Sequence, residues 1–429
     1  MTFNRITDIL KYNPLSGSKI MKKYIVLLIS IFLSLYIFPN DKPITETFFG
    51  LHMHNVLKKD KPWPTVPFKT WRLWDTGICW PEIQPNKDEW DFSLIDKAVK
   101  LASENNVEIV INLGLSPRWA AARPNNKSGY GEELTASEPE NIEDWKIYVR
   151  TLAERYKGKI KYWEIWNEPD LRLFYTGTPK KMAELVKEAY IILKEVDPEN
   201  MIISPSVTGY VALIPWLNAF LKAGGKDYID IIGTHFYVWF QTDTPEKVIY
   251  TVNAINEYKK ENNMPDLPIW NTECGIRKEN IPDEELAMGY IARLAVVQWY
   301  YGIERFMIYS WDNNYQIRMV DKDYKNENHL ALAFRETQKW LIGAVIKDLI
   351  KVGNNVWIAR LKRNGSEARM IWHSNDANPE YKINYEIPAG WDYLTKMKDL
   401  KTEIINIPDN RKINIGVAPI LLFEDGYLK

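Results

Sequence analysis

Tyr162-Trp-Glu-Ile-Trp-Asn-Glu-Pro-Asp170 is a short aromatic and apolar run that ends in a carboxylate and is closed by proline. It reads as a buried strand, because aromatic and β-branched side chains suit a pleated surface and proline cannot continue the ladder. Runs of the same texture lie on both sides of it. Together they are Phe48–His54, Thr70–Asp75, Val107–Leu113, Ile160–Trp166, Met201–Pro205, Ile229–Tyr237, Pro268–Thr272 and Arg305–Trp311. Stretches of helical period separate them. In Pro179–Val196, Met182, Leu185, Val186, Ala189 and Leu193 keep one face, and Pro198 stops the helix. Asp91–Glu104, Ile142–Tyr156, Leu213–Ala223, Pro245–Lys260, Glu284–Tyr301 and Leu330–Ile342 behave alike. The segment between the first two strands is short and proline-rich, so its helix is expected to be reduced.

Eight β/α alternations imply a parallel sheet. They span 264 residues from Phe48 to Trp311, close to the roughly 250 of a (β/α)8 TIM barrel. An open doubly wound sheet would prefer a Gly-rich phosphate loop after its first strand, and Gly50-Leu-His-Met-His54 is not one. The expected organisation is an N-terminal extension over residues 1–44, a catalytic barrel over 45–344 and a C-terminal domain over 345–429. The last region reads as a small antiparallel β domain. Val356–Leu361, Ala368–His373, Ile383–Ile387, Thr402–Ile407 and Ile420–Glu424 are short strands with Asn-Gly, Pro-Ala-Gly and Pro-Asp-Asn turns between them.

The 429 residues include 55 basic and 56 acidic side chains, a net charge of −1. That balance gives no electrostatic reason to expect nucleic acid or an anionic membrane surface as partner. Aromatic residues make up 13% of the chain; they suit sugar rings but mostly fill large cores. Cys79 and Cys274 cannot build a disulfide framework, although a single bridge stays open. Near the N-terminus, Met21-Lys22-Lys23 precedes an apolar run over residues 24–38. This is the shape of a secretory signal and is short of the ~20 residues of a spanning helix. No small-residue cleavage site follows it, so an uncleaved anchor is the alternative, and Met21 is a second candidate start. Either way the expectation is export, periplasmic or extracellular, with membrane contact only through this segment.

In a barrel, the C-terminal ends of strands face the active-site mouth. Glu168 ends the fourth strand, and Glu273 ends the seventh in Ile269-Trp-Asn-Thr-Glu-Cys-Gly275. Period-two alternation puts Glu164, Trp166 and Glu168 on one face, and Ile269, Asn271 and Glu273 on one face. Cleaving a glycosidic bond needs a proton donor to the leaving oxygen and a second carboxylate at the anomeric carbon. A lone glutamate is usually a solvated charge; two at strand ends of one barrel are less ordinary.

Asn-Glu-Pro after strand four together with Trp-x-Thr-Glu-x-Gly after strand seven resembles glycoside hydrolase clan A, and within it family 39. That family includes β-xylosidases, α-L-iduronidases and endoglycosidases of bacterial exopolysaccharide. The resemblance covers roughly residues 45–345. It implies a retaining glycosidase acting without cofactor on a poly- or oligosaccharide, with Glu168 as general acid/base and Glu273 as nucleophile. It further implies that Asn167 binds the sugar 2-hydroxyl, Tyr237 orients the nucleophile, His235 lines the site and Trp311 floors the reacting sugar. Arg72 would lie beneath the carboxylates and hold the nucleophile ionised. An exo-acting β-xylosidase-like enzyme is the alternative within the class. Outside it stand a non-catalytic carbohydrate-binding barrel and a metal-dependent amidohydrolase.

His52-Met-His54 bears on the last of these. Two histidines at i, i+2 on strand one could hold a metal, and metal-dependent amidohydrolase barrels carry such a pair. They also need later ligands, for which only His235 and Asp312 stand at fitting places, since strand five has no histidine. The sequence is therefore read as having no metal site, with His52 and His54 contacting substrate or supporting it from below. Two long loops follow strands three and eight. Ser116–Asn141 carries Trp119, Arg123 and Tyr130, and Asp312–Asn328 carries Tyr315 and Arg318. Long ordered loops over a barrel mouth commonly bind substrate, and Trp119 is the expected contact.

Overall fold

The computed structural model describes residues 41–209, 213–238, 244–264, 266–276, 283–313, 317–397 and 404–429. The expected signal or anchor at 24–38 lies outside these residues, as does Tyr315. Among the described residues no helix is long and apolar enough to cross a membrane.

Eight parallel strands make the barrel wall: β1 (Phe49–His52), β2 (Thr70–Arg72), β3 (Glu108–Leu113), β4 (Tyr162–Ile165), β5 (Met201–Ile203), β6 (Ile232–His235), β7 (Ile269–Cys274) and β8 (Ile303–Ile308). They neighbour one another in the order β5-β4-β3-β2-β1-β8-β7-β6. A second piece of the fifth strand, Val207–Thr208, pairs with β6 at the far edge. Pro205, which has no N–H to give a ladder, divides the two pieces. Parallel bridges Asn167–Ser206 and Ile203–Ile231 complete the seam, so the sheet closes on itself as a (β/α)8 barrel. Val110, Tyr162, Ile203, Ile231, Trp270 and Met307 fill its interior.

Helices follow the strands as the periodicity predicts: Ser93–Glu104, Ile142–Arg155, Pro179–Val196, Leu213–Lys222, Val248–Glu261, Glu284–Tyr300 and His329–Leu341. Between β1 and β2 there is only the single turn Asn55–Lys58. Side-chain caps set several starts by satisfying otherwise unpaired amides. Asn141 accepts from Glu143 N, Thr178 from Lys181 N, Asp283 from Leu286 N, and Asn328 from Leu330 N and Ala331 N. Cys79 and Cys274 are buried and free.

The helix Glu284–Tyr300 is buried all round from Leu286 onward, which an ordinary barrel helix with one solvated face is not. Its outer side is covered by antiparallel structure. A six-stranded sheet runs in the order β9 (Val345–Val352), β10 (Val356–Arg363), β11 (Ser366–His373), β16 (Ile420–Phe423), β13 (Tyr393–Lys396), β14 (Ile405–Asn406). β12 (Ile383–Glu386) pairs with β15 (Lys412–Ile415) beside it. β9, β13 and β15 are strands that the sequence reading lacks. β9 leaves Ile350 and Val352 exposed and interleaves lysines, so its alternation is blurred.

A buried ion cluster ties this sheet to the barrel. Arg293, fully buried on the helix, donates to Glu246 through Nε and Nη2 at 2.8 and 2.7 Å and to Asp376 through Nη1 and Nη2 at 2.7 and 2.9 Å. Trp372 Nε1 adds a bond to Glu246 Oε1 at 2.8 Å. Removing one member of such a set strands the others as unpaired charges. Arg293→Met is expected to lower unfolding stability by about 3–5 kcal/mol, read as a fall in the urea midpoint; a change within error would show the cluster to be energetically idle.

Candidate active site

The mouth of the barrel is organised around Arg72, the last residue of β2 and fully buried. Its planar fork reaches three partners: Nε donates to Glu164 Oε2 at 2.5 Å, Nη1 to Glu273 Oε2 at 2.8 Å, and Nη2 to Asn167 Oδ1 at 2.8 Å. Tyr237 donates its hydroxyl to Glu273 Oε1 at 2.5 Å. Glu273 thus accepts a hydrogen bond on each oxygen. His235 Nδ1 lies 2.9 Å from Glu168 Oε1, and its Nε2 lies 3.2 Å from Thr272 Oγ1. One atom from each of Glu168, His235 and Glu273 falls within 4.8 Å of the others.

Two local departures from strand geometry assemble this group, and both correct the expected alternation. β4 ends at Ile165, and Trp166 and Glu168 have φ of 70° and 43°. Left-handed backbone at a non-glycine residue is costly and resets which side chain faces where. Trp166 therefore does not share the face of Glu164. Its indole Nε1 donates to Phe174 O, and its ring packs on Trp145 and Tyr175. Asn167 and Glu168 reach the site together. In β7, Asn271 pairs with Thr234 while Glu273 pairs with His235, so one strand bulges past the other. A bulge aims consecutive residues toward one side. Asn271 consequently faces away, donating to Gln298 on the covering helix, while Thr272 and Glu273 both face the site.

Glu164 lies beneath, fully buried, and accepts four bonds. Arg72 and Asn112 Nδ2 (3.1 Å) serve Oε2; Thr272 Oγ1 (2.7 Å) and Ser206 Oγ serve Oε1. Burial works to raise this carboxyl, but Arg72 and the hydroxyls hold it below the ordinary carboxylate range. Space here is tight: a side-chain carbon on Gly233 would meet Ser206 Oγ at 2.2 Å.

Glu168 behaves in the opposite way. Burial, reinforced by the Asp170 carboxylate, pushes it up to about 8. Burial raises Glu273 as well, against the pull of His235, Arg72 and the Tyr237 hydroxyl. The expectation that Arg72 simply holds Glu273 down is therefore corrected, since desolvation outweighs it. The order within the pair still follows from bonding. Glu273 has a donor on each oxygen, whereas among the described residues the Glu168 carboxyl is contacted only by the His235 ring, which needs no proton from its own side to bond a carboxylic acid, so a shared proton resides on Glu168.

The other expected residues divide. His52 is fully buried, and its Nε2 donates to Thr272 O at 3.0 Å, which supports the bulge from below. His54 sits in the wall, its Nδ1 3.2 Å from Asn313 Nδ2 and its Nε2 3.8 Å from Asp75. Asp312 is spent on the amides of His54 and Asn55, the Asn55 side chain and the Tyr324 hydroxyl. Among the described residues, His52, His54, His235 and Asp312 do not form a metal-ligand group. Trp311 is buried. The aromatic ring packed on both His52 and His54 is Tyr309, whose hydroxyl donates to Asp75. Trp119 donates to Gln84 O at 3.1 Å and packs edge-on to Trp80. From the same loop it is Tyr130 that reaches the mouth wall, against Trp74 and beside Asp75. Asp75, Tyr309 and Thr272 are site residues that the sequence reading misses. Tyr309 stands on the same alternating face as Trp311, two residues earlier, and that was the signal for it.

A closed (β/α)8 barrel whose fourth and seventh strands end in two facing glutamates defines a class of barrel with its polar chemistry at the strand ends. The chain belongs to Glycosyl hydrolases family 39, whose model matches residues 58–287, more than half of it. Among solved structures it is similar to a family 39 glycoside hydrolase from the gut symbiont Bacteroides cellulosilyticus WH2. That match has 18% identity and a TM-score of 0.71 over 90% of this chain and 82% of the other. A GH39 beta-xylosidase from Caulobacter crescentus matches with 13% identity and a TM-score of 0.63 over 89% and 97%. In sequence the chain is 25% identical over 231 residues to endo-1,4-beta-xylanase A of Caldicellulosiruptor sp. (strain Rt8B.4), covering 49% of this chain and 32% of that protein. The chain thus spans about a third of that relative's length.

Proposed function

We propose that the chain is an exported retaining glycoside hydrolase that cleaves O-glycosidic bonds of a poly- or oligosaccharide by double displacement, without cofactor. Glu273 attacks the anomeric carbon while Glu168 protonates the leaving oxygen; Glu168 then deprotonates the water that releases the sugar. The observation that carries this reading is the approach of the two carboxylates within 4.8 Å. Retaining enzymes hold their pair about 5–5.5 Å apart, whereas inversion needs roughly 6.5–9.5 Å to admit a water. Asn167, anchored by Arg72, is then the group that holds the sugar 2-hydroxyl, and Tyr309 with His54 walls the same pocket. A bacterial exopolysaccharide is the proposed substrate. The printed names of the relatives, an endo-1,4-beta-xylanase and a beta-xylosidase, favour a xylose polymer or oligomer as the second reading.

A panel of bacterial exopolysaccharides, xylan, xylo-oligosaccharides and aryl glycosides tests both, with product sizes read by mass and anomeric configuration by proton NMR at early times. Retention is expected. Net inversion, or no hydrolysis across the panel, overturns the proposal.

The pH profile follows from the pair. Glu168 must carry its proton to donate it, so kcat/KM is expected to hold below about pH 8 and fall as pH rises through that value. Glu273 must be ionised to attack, and burial raises it. The acid limb is therefore expected above the ~4.3 of an ordinary glutamate. The two limbs belong to the coupled pair rather than to either residue. A flat profile from acid to neutral pH contradicts this assignment.

A further inference from the structure

We propose that Thr272 is a positioning residue that fixes the tautomer of His235, so that a bare Nδ1 faces Glu168 and keeps the proton on it. The inference rests on the two-glutamate reading and follows from counting protons along one chain of contacts. Glu164 Oε1 is an acceptor contacted by two hydroxyls, Ser206 Oγ and Thr272 Oγ1, the latter at 2.7 Å. Each hydroxyl has one proton to give. Both are used on Glu164, because two oxygens at that distance with no proton between them would repel. The 2.9 Å contact between Ser206 and Thr272 is a third oxygen pair for two protons; it is the longest of the three and neither oxygen in it is charged, so it is the one left without a proton.

Thr272 Oγ1 can then only accept from His235 Nε2, 3.2 Å away. The imidazole therefore carries its hydrogen on Nε2 and presents a lone pair on Nδ1. That lone pair lies 2.9 Å from Glu168 Oε1, and among the described residues His235 is the one side chain hydrogen-bonded to the Glu168 carboxyl. A carboxylate there meets a lone pair; a carboxylic acid donates to it. Burial pushes His235 itself down to about 4, so the ring stays neutral and does not take the proton.

The same arrangement serves both half-reactions. Before cleavage the acid waits with its proton bonded to a neutral nitrogen, and a bound glycosidic oxygen competes for that proton. After transfer, the Glu168 carboxylate faces an acceptor, which makes it a stronger base toward the incoming water. The charged and titratable groups around His235 are Glu164, Glu168 and Asp170 from β4 and its following turn, Glu273 from β7, Arg72 from β2 and His52 from β1. Thr272 is uncharged, so its replacement removes none of these charges; Glu164 Oε1 loses one of its two hydroxyl donors and keeps Ser206.

The test uses 15N-histidine-labelled enzyme, with the His235 signals identified by their loss in His235→Asn. A pyrrole-type Nε2 and a pyridine-type Nδ1 are expected near neutral pH. Thr272→Val frees the ring to turn its hydrogen to Nδ1 and donate to the Glu168 carboxylate. The tautomer should change, and the alkaline limb of kcat/KM should move down by about one pH unit. Thr272→Ser should restore both. Ser206→Ala removes a hydroxyl that does not touch His235 and should leave the tautomer and the limb where they are. A wild-type Nδ1–H tautomer overturns the proposal, as does a Thr272→Val enzyme with tautomer and limb unchanged. Should Thr272→Val fail to fold, the wild-type spectrum decides the tautomer, and a Ser206→Ala enzyme with a shifted limb counts against Thr272. The ring signals need no substrate. An enzyme with the expected tautomer but no glycosidase activity would therefore sink the two-glutamate reading alone.

Discussion

Glu273→Gln is expected to abolish turnover of every substrate, with kcat reduced by roughly 10⁴-fold or more. Glutamine keeps the shape of the side chain, and its amide oxygen can still accept from Arg72 or Tyr237. What it loses is the nucleophilic oxygen that forms the covalent sugar ester. The loss should be independent of leaving group, because no quality of leaving group substitutes for an absent nucleophile. The variant should also fold, since Arg72 retains Glu164 and Asn167 as partners at 2.5 and 2.8 Å. Single-turnover kinetics on an aryl glycoside check the point: no burst of released phenol is expected. A burst of wild-type size would move the nucleophile elsewhere, and Asp75, at the same mouth and bonded to Tyr309, would be the next carboxylate to test.

Much of this site is legible in the sequence because its acids close apolar strands. Glu168 and Glu273 each terminate a run rich in aromatic and aliphatic residues that read as buried, and a carboxylate in that position needs a reason. The eight strands and seven helices are legible for the same cause, since their two periods differ sharply between runs. Thr272 is not legible. Strict alternation sends it to the opposite face from Glu273, and the bulge that brings both inward leaves no trace in residue type. Trp166 fails in the converse way: the period puts it in the site, and a left-handed backbone takes it out. The raised affinity of Glu168 for its proton is expected of the acid in such a pair, with the neighbouring carboxylate as its cause; the causes in the fold are burial first and Asp170 second, and both are spatial. Strand β9 escapes because two of its five apolar residues, Ile350 and Val352, face water.

Glu168→Ala separates the two duties of the other glutamate. A dinitrophenyl glycoside has a leaving group that departs without protonation, so its first step should proceed at a rate within about tenfold of wild type. The second step needs a base for water, and that base is gone, so the glycosyl-Glu273 ester should accumulate. Steady-state turnover is expected to fall by roughly 10²–10⁴-fold, the usual worth of general acid–base assistance, after a burst equal to one equivalent of enzyme. Azide is a small anion that needs no base. It should restore turnover and yield a glycosyl azide with the configuration of the starting glycoside, because two inversions at one carbon return it to its origin. The alanine also removes a side chain whose one bonded partner among the described residues is His235, leaving room beside the ester for the anion. Azide should do nothing for Glu273→Gln, which forms no ester to intercept. An azide product of inverted configuration would mean direct displacement on the substrate. The approach of the two carboxylates to within 4.8 Å would then have to be explained without a covalent intermediate.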